Sequence, residues 1–160
     1  DHNFAGALWA RGNSWITIAI PEFVEMLDLP EADPTRRHLL ALLNRQAAAL
    51  RAAQDDSGLW HTLINDKASY LESSATAGFA YGLLKGVRKR YLPADYAPMA
   101  ERAIKGVIAN INPAGELLNT SFGTAMGSDL DYYRQIKLTS MPYGQAMAMF
   151  ALAEYLRSYI

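Results

Sequence analysis

Two kinds of helical segment alternate along this 160-residue chain, and the alternation most constrains its fold. The segments at 73–84 and 143–153 are rich in small residues and almost free of charge, which is typical of helices packed on most sides. Two other segments carry Arg, Lys and Glu on one face and Leu or Ile on the other, as helices with one solvated face do. We therefore predict an all-α fold with about five helices that alternate between inner and outer positions: 12–27, with Pro21 as a kink or break, then 34–53, 72–91, 96–112 and 142–160.

A long loop rich in aromatic residues and glycine precedes each predicted inner helix, at 9–15, 55–70 and 113–140. Short turns precede the outer helices. A unit of long loop, inner helix, turn and outer helix thus recurs about every 60 residues, which predicts a toroid or solenoid of αα-hairpins. Because all three long loops lead into inner helices, they should meet on one rim, where such scaffolds carry their functional residues.

Composition excludes several classes of protein. With 51% apolar and 19% charged residues, the chain is expected to form one globular domain over 1–160. A net charge of -1 argues against nucleic acid or an anionic membrane as a partner. No apolar run approaches the ~20 residues of a membrane span. The sequence has no cysteine, which excludes a disulfide scaffold and fits a reducing compartment, so we expect a bacterial cytoplasmic location.

The histidines do not predict a metal site. His2, His38 and His61 are far apart and have no cysteine near them, so they lack metal-ligand spacing. No glycine-rich phosphate loop follows a strand either. We therefore expect neither a metal nor a cofactor.

The segment WARGNSW at 9–15 carries the strongest candidate for a binding site. The indoles of Trp9 and Trp15 can stack on a sugar ring, and Arg11 presents a planar fork that matches a carboxylate. The start of the first predicted helix adds unpaired N–H groups and a positive dipole end. Together these features predict a pocket for a ring that bears a carboxylate.

Each of these residues also has a packing alternative. Arg11 could form an ion pair with a loop carboxylate. Of Trp9 and Trp15, we expect one to form a wall of the pocket and the other to lie partly in the core. Asn13 is favoured as the side-chain cap of the first helix over a ligand contact. For His61, a hydrogen bond to substrate and packing within its loop are equally consistent with the sequence.

Five segments in order resemble a known enzyme family. WARGNSW at 9–15 resembles the WxRGNxW segment of the unsaturated glucuronyl and unsaturated rhamnogalacturonyl hydrolases, glycoside hydrolases of the 88/105 type. GLWH at 58–61 and YLESSATA at 70–77 are similar to the family's GLWHQ-like loop and YLETSAT stretch. PYGQA at 142–146 resembles the start of the family's final inner helix, and GTAMG at 123–127 resembles the loop just before that helix.

This resemblance implies an (α/α)6 toroid, of which residues 1–160 would be the C-terminal half. It implies removal of a 4,5-unsaturated uronic acid from the end of a lyase-made oligosaccharide by hydration of the enol ether. Arg11 would hold the carboxylate. Trp9 and Trp15 would wall the sugar, with Asn13 beside them. His61 and Tyr143 would be secondary residues of the rim.

The resemblance also implies that the general acid/base Asp lies upstream of the arginine motif. Asp1 and His2 would be at best the tail of the family's His–aromatic segment. Glu72 is a weak candidate for an acid within the chain, since partial burial would raise its pKa, but we favour a capping role for it at the start of an apolar helix. The other carboxylates that could serve are Asp66, Asp129 and Asp131.

Two rival functions remain open from the sequence. One is a non-catalytic α/α-repeat module that binds carbohydrate or protein. The other is an inverting glycosidase with two carboxylates ~6.5–9.5 Å apart, to which Asp129 and Asp131 would contribute. Because inner helices need neighbours on both sides, we further expect an exposed apolar edge that pairs with the N-terminal half of a toroid or with a second copy of the chain.

Overall fold

The computed structural model describes residues 5–158, and this part of the chain is mainly helical. The helices are α1 (Ala10–Met26), α2 (Pro34–Ala53), α3 (Ser73–Arg88), α4 (Ala97–Ala109), α5 (Leu130–Arg134) and α6 (Pro142–Arg157). A 3-10 turn (Ala94–Tyr96) leads into α4, and the strands are β1 (Trp60–His61), β2 (Leu71–Glu72), β3 (Thr120–Ser121) and β4 (Leu138–Thr139). The five predicted helices are confirmed as α1, α2, α3, α4 and α6. Asp1 and His2 lie outside the described residues.

Side-chain caps fix the starts of α2 and α3. The Asp33 carboxylate accepts hydrogen bonds from the backbone N–H groups of Thr35 and Arg36, and proline opens α2 as predicted. Glu72 caps α3 by accepting from the backbone N–H of Ala75. The capping role favoured for Glu72 is therefore confirmed.

The start of α1 differs from the prediction. The helix begins at Ala10 and no side chain caps it. Asn13 lies inside the first turn, where its Nδ2 donates to the backbone oxygen of Trp9, so the prediction that Asn13 caps this helix is wrong. The physical reason lies in the neighbouring loop, because the backbone N–H of Ala10 already donates to the Thr62 carbonyl at 2.8 Å.

Helix α1 continues through Pro21, where the sequence predicted a kink or a break. Proline has no N–H, so the carbonyl of Thr17 has no helical donor four residues on. Gly82 of α3 lies against this carbonyl, since a Cβ on Gly82 would stand 2.2 Å from the Thr17 oxygen. The glycine thus permits the close approach of α1 and α3.

Helix α3 occupies the middle of the molecule, with α1, α4 and α6 packed around it and α2 outside α1. Of its 16 residues 13 are buried, as predicted for an inner helix. At its start the indole of Trp60 is fully buried, donates to the Leu50 carbonyl at 2.9 Å and meets the ring of Phe79 edge-on. The architecture is an arc of αα-hairpins, with α1, α3 and α6 inside and α2 and α4 outside.

Each of the two helices that flank α3 carries an exposed apolar stripe. On α1 the exposed residues Ile16, Ala19, Phe23 and Met26 recur every three or four positions, and on α6 the residues Ala146, Met149, Ala153 and Leu156 do the same. We call these sets the α1 stripe and the α6 stripe. Met26 is 77% exposed and Met149 65%, so α1 and α6 are not covered on all sides. The expected apolar edge is thus present at both ends of the arc.

The segments that precede α1, α3 and α6 meet on one rim, as predicted, but residues 10–15 belong to α1 and not to a loop. Backbone hydrogen bonds join these segments, from Ile64 N to Leu8 O at 3.0 Å and from Ser73 N, at the start of α3, to Asn119 O at 3.0 Å. Strand β1 pairs with β2 and β3 with β4, both antiparallel. Between residues 5 and 158, no helix combines the length and the apolar character needed to cross a lipid bilayer.

Candidate functional site

Arg11 lies in the first turn of α1, at the rim, and is only 4% exposed. Its guanidinium carbon lies 5.0 Å from the centre of the Trp9 ring and 4.7 Å from that of Tyr143. Gly12 leaves room for the indole, since a Cβ there would lie 2.9 Å from the Trp9 ring. The structure thus brings Trp9, Arg11 and Tyr143 together, although Arg11 and Tyr143 are far apart in sequence.

Neutral oxygens from the loop before α6 supply most of the hydrogen bonds of Arg11. Nη1 donates to the backbone oxygen and the hydroxyl of Ser121 at 2.8 and 2.6 Å, and to the Ser74 hydroxyl at 3.4 Å. Nη2 donates to the Thr124 hydroxyl at 2.9 Å and to the Phe122 carbonyl at 3.3 Å. The partners of Nη1 are buried, whereas Thr124 is half-buried and Phe122 is exposed, so Nη2 is bound by the part of the loop that lies nearer to solvent.

Glu72 is the carboxylate next to Arg11 and is 1% exposed. Its Oε1 lies 3.7 Å from Arg11 Nη1 and accepts from the Ser74 hydroxyl at 2.7 Å and the Ser121 N–H at 2.8 Å. Its Oε2 accepts from the Ala75 N–H at 2.5 Å. The expected alternative for Arg11, an ion pair with a carboxylate, is therefore present at long range and bridged by hydroxyl groups.

Tyr143 adds a second tie to the same loop. Its hydroxyl donates to the Ser121 carbonyl at 2.5 Å, and burial raises the pKa of this phenol. Burial also raises the pKa of Tyr70, which lies near the charges of Arg11 and Glu72. Both phenols are therefore neutral near pH 7. Tyr143 acts as a hydrogen-bond donor to the loop, whereas the buried Tyr70 hydroxyl has no hydrogen-bond partner among residues 5–158.

A cavity of about 580 Å³ lies beside the start of α1. It is lined by Ala5, Gly6, Ala7, Leu8, Trp9, Gly12, Asn13, Met126 and Tyr133. The rings of Trp9 and Tyr133 have their centres 6.3 Å apart, and Trp9 Nε1 is a buried donor with no hydrogen-bond partner among residues 5–158. Aromatic walls with a few polar groups suit a sugar ring.

The remaining predicted site residues lie in different places. Trp15 is 47% exposed, one turn after Arg11 on the same face of α1, and it does not line the cavity. It is not partly in the core, so the expected division between one wall and one core indole is wrong. His61 is 8% exposed, and its Nδ1 donates to the Ser69 carbonyl at 2.5 Å, with Nε2 3.9 Å from Asp55. His61 is thus held within its own loop.

The other carboxylates of the rim hold local structure. Asp129 caps α5 through the Tyr132 N–H, and Arg134 donates to Asp131 at 2.6 Å and to Asp66 at 2.7 Å. The hydrogen bond from Arg134 lowers the pKa of Asp66. Asp129 and Asp131 are exposed and neither lines the cavity, which removes the observation on which the two-carboxylate rival depended.

Several residues of the site escaped the sequence analysis: Ser74, Ser121, Thr124, Met126 and Tyr133. Thr124 and Met126 belong to the GTAMG segment, which could have pointed to them, whereas nothing in the sequence links Ser121 to Arg11. Within the described part of the chain, no three His, Asp or Glu side chains converge as metal ligands.

Comparison with known proteins gives a consistent result. A sequence model of Glycosyl Hydrolase Family 88 matches residues 1–159. The unsaturated rhamnogalacturonyl hydrolase YesR of Bacillus subtilis is 27% identical over 159 residues, which are 99% of this chain and 44% of that protein. An unsaturated 3S-rhamnoglycuronyl hydrolase of Alteromonas is 35% identical over 86 residues, 52% of this chain and 20% of that protein.

Solved structures show the same fold. A possible member of the GH105 family from Klebsiella pneumoniae superposes with a TM-score of 0.97 at 67% identity, over 99% of this chain and 42% of that one. The unsaturated glucuronyl hydrolase of Bacillus sp. GL1 superposes with a TM-score of 0.68 at 18% identity, over 96% of this chain and 40% of that one, which shows the fold alone. The chain is half of an (α/α)6 toroid and spans less than half the length of these proteins.

Proposed function

This chain belongs to glycosyl hydrolase family 88, and we propose that it forms part of a glycosidase site for unsaturated uronides. The substrate is a 4,5-unsaturated uronic acid at the non-reducing end of an oligosaccharide that a lyase has released from rhamnogalacturonan, pectin or glucuronan. The observation that carries the proposal is Arg11, held between Trp9 and Tyr143 at the rim beside the 580 Å³ cavity. The relative YesR, an unsaturated rhamnogalacturonyl hydrolase, supports the same substrate class.

Each group of the rim has a task in this proposal, although of these groups only Trp9 and Asn13 line the cavity itself. The Nη2 edge of Arg11, whose partners lie nearer the surface than those of Nη1, binds the uronate carboxylate in place of its bond to Thr124, aided by the start of α1. Trp9 stacks on the sugar ring and Asn13 offers its amide within the cavity. Trp15 presents its exposed indole one turn further along α1, outside the cavity, and His61 and Tyr143 support the rim.

The chemistry that the family resemblance implies is hydration of the enol ether. An Asp from the N-terminal half of the toroid protonates C4, and water adds its hydroxyl at C5. The resulting hemiketal opens and releases the sugar. The described lining of the cavity holds no carboxylate, so this chain would supply binding groups and the other half the proton.

The direct test is turnover of an unsaturated uronyl disaccharide by the intact natural protein in a reducing, neutral buffer, as in a bacterial cytoplasm. We expect the absorbance of the conjugated double bond to fall with time, and to stay constant when Arg11 is replaced by Ala. An intact protein that leaves the double bond unchanged, at concentrations where it is folded, would contradict the glycosidase proposal.

The second candidate is a binding module without catalysis, which the carboxylate-free cavity favours. Such a module would bind the uronide with no loss of absorbance, and Arg11→Ala would abolish that binding. Calorimetric titration with the same disaccharide distinguishes the two candidates, because only the enzyme converts its ligand during the titration.

We also propose that the α1 stripe and the α6 stripe pack against the N-terminal half of the toroid. Beside the α1 stripe lies an apolar groove of about 380 Å³, formed by Ile16, Phe23, Leu39 and neighbouring side chains. When residues 1–160 are expressed alone, these faces should bind apolar dyes or drive self-association. A monodisperse monomer by light scattering that binds no such dye would contradict this.

A further inference from the structure

We propose that Glu72 is a positioning residue of this site, whose carboxylate acts through Ser74 and Ser121 to orient Arg11 toward a ligand carboxylate. The proposal rests on the proposed function and deepens it, because it names the group that fixes the cation. Glu72 does not touch the cavity, so it would act only through Arg11 and the loop that carries Ser121.

Two hydroxyl groups connect the carboxylate to the guanidinium. The Ser74 hydroxyl donates to Glu72 Oε1 at 2.7 Å and accepts from Arg11 Nη1 at 3.4 Å. The Ser121 hydroxyl accepts from Arg11 Nη1 at 2.6 Å and lies 3.4 Å from the same Glu72 oxygen. Nη1 and Oε1 are 3.7 Å apart, which is too far for a direct hydrogen bond. The two hydroxyl groups therefore connect the guanidinium to the carboxylate and fix their relative position.

Glu72 also fixes the main chain at Ser121. The N–H of Ser121 donates to Glu72 at 2.8 Å, and its carbonyl accepts from Arg11 and from Tyr143. The carboxylate itself has little freedom, because Ala75 holds its other oxygen at the start of α3. A rigid helix end thus holds both the loop and the guanidinium.

The planarity of the guanidinium makes this orientation matter for binding. Nη1 and Nη2 lie in one plane, so fixing Nη1 on the buried side sets the direction of Nη2 on the open side. Nη2 is the edge that the proposed function assigns to the uronate. A small rotation of Arg11 would therefore cost affinity for a carboxylate without changing the sugar contacts of Trp9.

The experiment measures the preference of the intact protein for an acid over its ester. The probes are a uronyl disaccharide that lacks the 4,5 double bond, and so is not consumed by the proposed hydration, and its methyl ester, both titrated by calorimetry. Glu72→Asp keeps the charge and withdraws the carboxylate by one methylene, and we expect it to reduce the acid-over-ester preference about tenfold. Affinity for the ester should change by less than about twofold. A general structural defect would instead weaken binding of the ester and the acid alike.

A matched control shortens Glu154, the second fully buried carboxylate among residues 5–158. Glu154 lies at the opposite end of the helices, pairs with Arg88 and is likewise inaccessible in its side chain. Glu154→Asp should lower the unfolding temperature without changing the acid-over-ester preference. If Glu72→Asp does not fold, Ser74→Ala decides, since it removes one bridge only and should reduce the preference about threefold.

The possible outcomes separate this proposal from the proposed function. A wild-type protein without acid preference overturns the carboxylate role of Arg11, and the role of Glu72 with it. The positioning role alone is overturned if the wild-type protein prefers the acid and Glu72→Asp keeps that preference. If Glu72→Asp does not fold, the same result in Ser74→Ala overturns it.

Discussion

At the rim, Arg11 meets mainly neutral oxygens, whereas at the opposite ends of α1 and α3 the ammonium of Lys85 meets two carboxylates directly. Both residues are 4% exposed. Lys85 Nζ lies 2.5 Å from Glu22 and 2.6 Å from Glu25, while the carboxylate oxygen paired with Arg11 is 3.7 Å away. The same degree of burial is therefore compatible with two different ways of holding a cation.

Further ion pairs surround Lys85 at this second end. Lys89 lies 2.8 Å from Glu25, and Arg88 and Arg157 both contact Glu154. The hydrogen bonds from Lys85 and Lys89 lower the pKa of Glu25 to about 2. Burial disfavours the charge of Lys85, but its bonds to Glu22 and Glu25 outweigh this and its pKa is raised.

The difference teaches what each end can do with an anion. Glu22 and Glu25, the latter shared with Lys89, compensate the charge of Lys85 at contact distance, so its ammonium exerts little attraction on a further negative group. Serine hydroxyls and carbonyls stabilise Arg11 by their dipoles, and Glu72 compensates its charge only at longer range. The rim thus keeps a preorganised cation that a carboxylate can still use.

The largest expected effect follows from removing the cation at the rim. Arg11→Met leaves Glu72 buried without its cation and the oxygens of Ser121 and Thr124 without their donor. We expect a loss of about 3 kcal/mol in the free energy of unfolding and about a hundredfold weaker binding of the uronyl disaccharide that lacks the 4,5 double bond. Urea denaturation and calorimetric titration measure the two quantities, and unchanged binding in a folded variant would contradict the role of the rim cation.

The same replacement at the other end should have a smaller effect. Lys85→Met removes a cation whose partners Glu22 and Glu25 have side chains 34% and 40% exposed and can turn to water. We expect a loss of about 1 kcal/mol in unfolding free energy and no change in uronide binding. If this variant lost binding as Arg11→Met does, the contrast between the two ends would be wrong.

The smallest effect concerns pH. The pKa of Glu25 falls from 4.5 to about 2 on folding, so the folded chain binds fewer protons between these values. Its contribution to stability is complete above the unfolded pKa and is lost as the pH falls toward 2. Because the side chain is partly exposed, we expect only about 0.5 kcal/mol.

Glu25→Gln checks this assignment. The variant should be about 0.5 kcal/mol less stable than the wild type at pH 7 and equal to it near pH 2, as measured by urea denaturation at each pH. A difference that persists at low pH would show that packing, and not the charge of Glu25, stabilises this end.

Local patterns predicted the parts of the fold that depend on local physics. The alternation of nearly charge-free segments with amphipathic segments predicted the five main helices. The capping residues Asp33 and Glu72 predicted where α2 and α3 begin. The strands and α5 could not be predicted, because elements of two to five residues carry no periodic signal. The start of α1 was misplaced because a bond to Thr62, and not a side-chain cap, determines it.

Prediction of the site was limited by distance along the chain. The WARGNSW segment indicated Arg11 and Trp9 from local chemistry alone. The groups that hold Arg11 come from elsewhere, since Ser74 lies 63 and Ser121 lies 110 residues away. No pattern in a single sequence pairs such residues, so the neutral environment of Arg11 became visible only in three dimensions.

Helix α3 joins the rim to the ion-paired end, because Glu72 caps its start while Lys85 and Arg88 lie in its last turns. Its neighbours cover it almost completely, so its backbone amide hydrogens can meet solvent only when the whole arc opens. Hydrogen exchange of α3 would then report global unfolding, and the rim cation and the ion-paired cluster would be held or released as one cooperative unit.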